Sequence, residues 1–505
     1  MFSHVLLSLI IWVPVIGGIC VLLTGGDQNK TMARWLAVIT AFITLFLCIP
    51  LYAMFDVNNG LMQFKEYLPW IPTFDINYAL GADGISVPMI ILTNFTSLIV
   101  ILAATKAIKT RVAQYMAAFL IMQGMMNGVF AATDALLFYV FWEGSLIPMY
   151  ICIGVWGGKN RSYAAIKFFV YTFIGSALML IALLYLRLHA ESFQITKFYA
   201  LHMTMPVQVL IFLAFFAAFA VKVPMWPFHT WLPDAHTEAP SGGSVILAAL
   251  MLKMGVYGFI RFSMPIVPNA AQALDWMMIV LGLIAIVYVA YLALAQTDMK
   301  RLIAYSSIAH MGFAILGCFL VYSIIAVTHS FPDAYLSFEG AIVQMISHAF
   351  GSGAMFIAVG VLYDQMHSRL IKDYSGVAYK MPVFAAFFML FAMSNVGLPG
   401  TSGFVGEFMI ILSSFRAHFW VAFFAASTLI LGAAYTLWMV KRVFFGPVVA
   451  GSPVEKLVDI TLNEKVVFGL LALGVLFIGI YPEWLLRILH ASVDHILRIS
   501  LQSRL

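Results

Sequence analysis

The chain has no Asp, Glu, Lys or Arg before Asp27, and apolar stretches of similar length, poor in charge, recur along it. A helix that spans a bilayer needs ~20 mostly apolar residues. Runs of that kind lie near 3–23, 32–54, 85–105, 113–131, 134–156, 165–188, 207–226, 242–263, 273–295, 302–322, 340–363, 382–415, 418–443 and 464–485. The reading is an all-α integral membrane protein with about fourteen spans. Composition agrees: 63% of residues are hydrophobic and 10% charged, where a soluble domain carries about 25% charged. A chain this poor in charge cannot cover a water-facing surface, so its solvent is mostly lipid. The first run lacks a basic leader and a small-residue cleavage site, and reads as a retained helix.

Two runs carry internal breaks. The seventh ends in Val223-Pro224-Met225-Trp226-Pro227, and the twelfth holds Gly397-Leu398-Pro399-Gly400 and Gly403 near its middle. Freed backbone groups inside a membrane are tolerated only against protein or a wet cavity, so both breaks are expected to point inward. Helices 4–8 and 9–13 form two sets of five. In each, the fourth member is broken and bears an ionisable residue beside the break, Lys222 or Glu407. An odd repeat inverts its second copy, so two inverted five-helix repeats are expected, as in many transporters. The expected segments are 1–112 for helices 1–3, 113–263 and 264–445 for the repeats, and 446–505 for helix 14 and a tail.

The net charge of +5 is no nucleic-acid signal, because the basic residues cluster at the ends of apolar runs. Most of them, including Lys30, Lys109, Arg161, Arg301, Lys372 and Lys441, follow odd-numbered spans. By the positive-inside rule those loops are cytoplasmic and both termini periplasmic. The four cysteines, Cys20, Cys48, Cys152 and Cys318, lie singly within apolar runs, which argues against a disulfide framework, a zinc site or an iron–sulfur cluster.

Against this background six ionisable residues stand out. Glu143 is central in the fifth run and Lys253 in the eighth; His310 and His348 are near the centres of the tenth and eleventh; Lys222 and Glu407 flank the two breaks. A charge at a span's centre costs ~2.5–3.5 kcal/mol on insertion scales, so residues kept there are functional candidates. Their similar depth on six helices suggests a hydrated axis in the membrane plane, with Ser306, Ser307 and Ser347 holding water beside it. The residue types suit proton transfer. Burial favours a neutral amine and a nearby carboxylate favours the ammonium. Glu143 approaching Lys222 would therefore hold its proton, and Glu143 withdrawing would release it. Histidines titrate near neutrality and suit relay positions. The bland alternatives are a structural Glu143–Lys222 ion pair, satisfied core histidines, and a helix-dipole partner in Glu407. His229 and His236, in the loop from Trp226 to Pro240, either admit protons or cap the loop.

At these residues the chain resembles a known family. The stretch from Val221 through Pro240, with Lys222, Pro224, Trp226, His229, Pro233, His236 and Glu238, then Ser244 and Lys253, is similar to the signature of antiporter-like subunits. So is the stretch Gln296 to Gly312, with Asp298, Lys300 and His310. Such subunits occur in respiratory complex I, in multi-subunit cation/proton antiporters and in membrane-bound hydrogenases. Glu407 occupies a position where L- and N-type members usually carry Lys, and this resembles the M-type, the counterpart of mitochondrial subunit 4. The absence of a long lateral helix after the fourteenth span agrees. Gly144 departs from the pattern, where a bulkier residue often follows the Glu, and is expected to loosen the helix locally.

The resemblance implies a proton-translocating subunit of NADH:quinone oxidoreductase in a bacterial inner membrane. Glu143 and Lys222 would be the modulating pair, Lys253 the central relay, Glu407 the terminal site, and His310 and His348 relays between them. It further implies no cofactor or metal in this chain, with NADH, FMN, iron–sulfur clusters and quinone bound by partner subunits. N- and L-type neighbours and lipids are the expected partners. The alternatives are a subunit of a cation/proton antiporter or hydrogenase, and a passive membrane scaffold. Moving one charge against 100 mV costs ~2.3 kcal/mol. The sequence contains neither a Walker loop nor a dinucleotide fingerprint to supply it, so the energy must come from partners.

Overall fold

The computed structural model describes residues 4–505. Each apolar run holds a helix. Among the described residues, eleven helices are long and apolar enough to cross a membrane, and Leu6–Leu22 and Pro382–Val396 are shorter apolar helices. Two compact units divide the chain: residues 1–223, 250–275 and 486–505 form the first, and 224–249 with 276–485 the second.

The first unit contains α1 (Leu6–Leu22), α2 (Lys30–Ala53), α3 (Ser86–Ala107), α4 (Val112–Ala131), α5 (Ala135–Trp156), α6 (Arg161–Ala190) and α7 (Met205–Lys222). Helix α1 packs on α4, α5 on α4 and α6, and α6 on α7. Between α2 and α3 the chain forms an antiparallel hairpin, β1 (Gln63–Ile71) and β2 (Ile76–Ala82), pairing Leu68 with Tyr78 and Ile71 with Ile76. The hairpin has a definite task. Glu66, buried on β1, accepts hydrogen bonds from the amides of Leu7 at 2.8 Å and Ser8 at 3.2 Å. A carboxylate there satisfies amides that the first turn of α1 leaves free and meets the positive end of its dipole.

The short helix α8 (Trp231–Glu238) belongs to the second unit, and α9 (Ser241–Ile266) is shared, its first part in the second unit and its remainder, from Leu250, in the first. Helix α9 is wholly buried along its span, and two π-helical turns, Leu247–Met251 and Phe259–Ser263, bracket Lys253. Such turns appear frequently at functional sites. The second unit continues with α10 (Asp275–Leu294), α11 (Met299–Thr328), α12 (Phe331–Met366), α13 (Pro382–Val396), α14 (Ser402–Ala417), α15 (Phe419–Phe444) and α16 (Leu462–Ile480). Helix α12 lies at its centre, 94% buried over its most apolar window, against α11, α14 and α16.

Both expected breaks are present. Helix α7 stops at Lys222, since Pro224 and Pro227 have no amide hydrogen to continue the ladder. Helix α13 stops at Gly397, whose φ of 82° suits glycine, and the Leu398 amide turns back to Met393 O at 3.0 Å. The tail is more ordered than the sequence reading implied. Glu483–Ser500 forms an amphipathic helix, α17, with Ile488, Leu489, Val493 and Ile496 buried and Arg487, His490 and Arg498 exposed. Within the first unit, Ser492 Oγ accepts the Gly84 amide at 2.8 Å, and a Cβ on Gly84 would lie 1.9 Å from Ile488 O.

One local arrangement occurs twice. Asp134 caps α5 by accepting from Leu136 and Leu137, and Asp298 caps α11 by accepting from Lys300 and Arg301. Each aspartate also forms an isolated antiparallel bridge to the segment after the following long helix, Asp134 to Gln194 and Asp298 to Leu370. The four backbone bonds match in sense: Ala135 to Phe193 O and Ile195 to Thr133 O in one unit, Met299 to Arg369 O and Ile371 to Thr297 O in the other.

Candidate functional site

In the first unit Lys222 ends α7 and Glu143 lies midway along α5. Lys222 is 1% exposed, and its ammonium nitrogen makes no hydrogen bond among the described residues. It sits 5.1 Å from the centroid of the Trp142 ring and 6.0 Å from that of Phe168, within the range in which aromatic faces attract a cation. Glu143 is close enough to Lys222 for their charges to interact, and Ser176 on α6 is within hydrogen-bond reach of the Glu143 carboxyl. Lys222 is thus a buried amine with aromatic walls and one carboxylate in electrostatic range. A Cβ at Gly144 would lie 3.0 Å from Met125 Sδ, the flexible end of that side chain.

Lys253 is fully buried on α9. Gly255 and Gly258 bring its helix against the last turn of α7: a Cβ at Gly255 would lie 2.9 Å from Phe219 O, and one at Gly258 2.4 Å from the Phe219 ring. The helices carrying Lys222 and Lys253 are therefore in close contact. Further along α9, Arg261 forms a buried ion pair with Asp83, stacks over Tyr257 at 5.3 Å, and the Tyr257 hydroxyl is 3.0 Å from Ser86 Oγ. The sequence reading did not single out this cluster.

In the second unit, three candidates come together. His310 Nδ1 on α11 is 2.7 Å from Glu407 Oε1 on α14, and the His310 and His348 rings are 5.5 Å apart. Glycines make the approach possible: a Cβ at Gly406 would lie 2.7 Å from the Gln344 amide nitrogen of α12, and one at Gly403 2.0 Å from Ser394 O of α13. Two amides complete the cluster. Gln344 Nε2 donates to Glu407 Oε1 at 3.1 Å, and Asn395 Oδ1 faces His310 Nε2 at 3.1 Å. Ser306 Oγ donates to the same Asn395 oxygen at 3.1 Å, and Ser307 and Ser352 share a 2.9 Å hydroxyl contact. A small polar cavity bounded by His310, Gln344, Ser347, His348, Ser352 and Asn395 has room for about one water molecule. Gln344 Oε1 and Ser347 Oγ, both in its lining, make no hydrogen bond among the described residues, so a water there would find partners.

His229 and His236 follow the α7 break, both buried. His229 meets the Tyr305 ring at 6.4 Å, and His236 stacks on Phe356 at 4.5 Å. In the sequence Lys300 falls in the basic loop after the ninth span. The structure buries it to 5% exposure, with its ammonium donating to Ala239 O at the end of α8, because Asp298 starts α11 ahead of it and draws it into the helix. Gln344 and Asn395 were missed because a search for ionisable residues passes over neutral amides.

Comparison with known proteins accords with this arrangement. Residues 132–432 match the family described as NADH:quinone oxidoreductase/Mrp antiporter, TM. NADH-quinone oxidoreductase subunit M of Rhodobacter capsulatus is 46% identical, over 98% of this chain and 96% of that protein. NADH-ubiquinone oxidoreductase chain 4 of Marchantia polymorpha is 39% identical, over 97% of each. A chain in the structure of respiratory complex I from Thermus thermophilus with bound NADH has 29% identity and a TM-score of 0.87, covering 98% of this chain and 100% of that one.

Proposed function

From the premise that the chain belongs to the NADH:quinone oxidoreductase/Mrp antiporter transmembrane family, we propose that it is a proton-translocating membrane subunit of an NADH:quinone oxidoreductase, of the M type. The observation that carries this reading is Lys222. A buried amine with no hydrogen-bond partner among the described residues, at the end of a broken helix and in the field of Glu143, is poorly suited to holding a fold together. It is well suited to changing protonation when the carboxylate moves. Glu143 and Lys222 form the modulating pair, Lys253 is the central relay, His310 and His348 are relays, and Glu407 is the terminal site. His229 and His236 guard proton uptake at the α7 break.

No redox cofactor is assigned to this chain. NADH, FMN, iron–sulfur clusters and quinone belong to partner subunits, and N- and L-type neighbours with lipids surround this one. The subunit sits in a bacterial inner membrane with about fourteen spans and both termini periplasmic. Residues 113–263 and 264–445 are inverted repeats. The twin aspartate ties support this, as does a correspondence in spacing. Glu143 and Ser307 stand equally far beyond Asp134 and Asp298, and Ser176 and Ser352 equally far before Gln194 and Leu370. The family also includes antiporter subunits, and the full-length likeness to subunit M and chain 4 favours the oxidoreductase.

The test uses membranes carrying Glu143→Gln or Lys222→Ala, with a blot to establish assembly. NADH-driven acidification and NADH oxidation are followed together. Collapse of both in an assembled complex is expected; normal rates of both would make the pair structural and overturn the proposal.

A further inference from the structure

Asn395 is 6% exposed in the last turn of α13, just before the Gly397 break, and its side chain makes three polar contacts. Its Nδ2 donates to Thr436 Oγ1 on α15 at 2.9 Å. That leaves Oδ1 facing Ser306 Oγ and His310 Nε2, each at 3.1 Å. An amide oxygen only accepts, so its contact with the imidazole is a hydrogen bond only when Nε2 carries the hydrogen. Which ring nitrogen is protonated is set by the bond the other one makes. The other, Nδ1, lies 2.7 Å from Glu407 Oε1.

We propose that Asn395 is a positioning residue that holds His310 in its Nε2–H form, so that the proton His310 exchanges with Glu407 is carried on Nδ1. This rests on the proton-translocation reading above. The step balances simply. The Nδ1–H bond of the imidazolium breaks as the Oε1–H bond of Glu407 forms, and the ion pair becomes a neutral pair; the reverse step restores it. Gln344 Nε2, 3.1 Å from the same Glu407 oxygen, stabilises the carboxylate form. Gln344 Nε2, which can only donate, also lies 3.3 Å from Nδ1 and favours the same form. Without Asn395 the Nε2–H loses its acceptor, and the tautomer with Nδ1–H cannot take a proton from Glu407.

The titratable groups that face His310 are Glu407 from α14, His348 from α12 and, through Ser306, Tyr435 from α15, whose hydroxyl is 3.2 Å from Ser306 Oγ. From the turn before α8, His229 reaches Tyr305, earlier on α11 than His310. Helix α10 approaches α11 through Gly282 at Gly312, with no ionisable side chain in that contact. A neutral residue that fixes the tautomer is therefore a different control from any of these charges.

The experiment compares Asn395→Leu, Asn395→Asp and Thr436→Val with Lys222→Ala in membranes holding assembled complex. NADH-driven acidification is measured across the neutral pH range. Asn395→Leu is expected to lower acidification about tenfold, on the scale of one lost hydrogen bond, and to shift its pH profile. Asn395→Asp, which keeps an acceptor for Nε2–H, restores much of the rate. Thr436→Val, which removes the acceptor that orients the amide, is expected to fall between wild type and Asn395→Leu. Should Asn395→Leu not assemble, Asn395→Ser, whose oxygen is too short to reach, replaces it. An unshifted profile in the acceptor-less variant, or Asn395→Asp no better than it, overturns the proposal. If Lys222→Ala itself pumps normally, the functional reading fails. If Lys222→Ala is dead while Asn395→Leu keeps the wild-type profile, only the tautomer assignment fails.

Discussion

Replacing Gly406 by Ala adds one methyl group at the point where α14 crosses α12. Its Cβ would lie 2.7 Å from the Gln344 amide nitrogen and 2.8 Å from its Cα, backbone atoms that cannot swing away. Ordinary carbon contacts are about 3.5–4.0 Å, so α14 has to retreat by roughly 1 Å. Glu407 is the next residue. Its 2.7 Å contact with His310 then opens to about 3.7 Å, beyond hydrogen-bond range. Overpacking of this kind costs about 1–3 kcal/mol, which a large assembled subunit survives. A misplacement of about 1 Å can cost as much as a hundredfold in rate. Gly406→Ala is therefore expected to assemble yet to pump roughly tenfold to a hundredfold more slowly. The assay is NADH-driven acidification of inverted membrane vesicles, normalised to assembled complex. Gly469→Ala on α16, where a Cβ meets nothing within 4 Å, is the control and should match wild type. Wild-type pumping by Gly406→Ala, or equal damage from Gly469→Ala, would refute the reasoning.

Arg261→Ala leaves Asp83 buried without its ion-pair partner and should destabilise the subunit by about 3–5 kcal/mol, read as a lower unfolding temperature in detergent; Arg261→Met with Asp83→Leu should recover much of it. Burial alone would raise the Asp83 carboxyl. The Arg261 charge and hydrogen bond, with the amides of Ser86 and Ile85, outweigh it and hold the group below the usual carboxylate value. Its folded-state affinity for protons is thus depressed. The stability it contributes is complete above the unfolded value of about 4 and is lost as pH falls through the lower folded value, which an acid titration of unfolding temperature in wild type and Asp83→Leu would resolve. Gly84→Ala drives a methyl into Ile488 O and should release α17, so that limited proteolysis cuts sooner within residues 486–505.

The helices were legible because a membrane demands long apolar runs, and the α7 and α13 breaks because Pro224, Pro227 and Gly397 act on the backbone wherever they stand. The proximity of His310, His348 and Glu407 was legible only as a shared depth; which of them touch depends on Gly403 and Gly406, whose missing side chains leave no polarity to read. The hairpin was missed because β2 is buried along nearly its whole length and β1 has register shifts between Gln63 and Glu66 and between Pro69 and Ile71, so neither strand alternates cleanly. Helix α17 escaped because an amphipathic helix has charges at every turn and fails a search for apolar runs. The π turns beside Lys253 have no sequence signature.

The twin ties at Asp134 and Asp298 bear on ancestry. On the repeat reading they are one fastening inherited by both descendants of a duplicated segment, and each has kept the aspartate, the bridge and the sense of the backbone bonds. What hangs from the fastening has not been kept. Where one descendant sets Glu143 beside Ser176, the other sets Ser307 beside Ser352. On that reading, selection rewrites the charge at a slot while its anchorage stays fixed, so paralogous positions differ in ionisation without losing their place in the repeat.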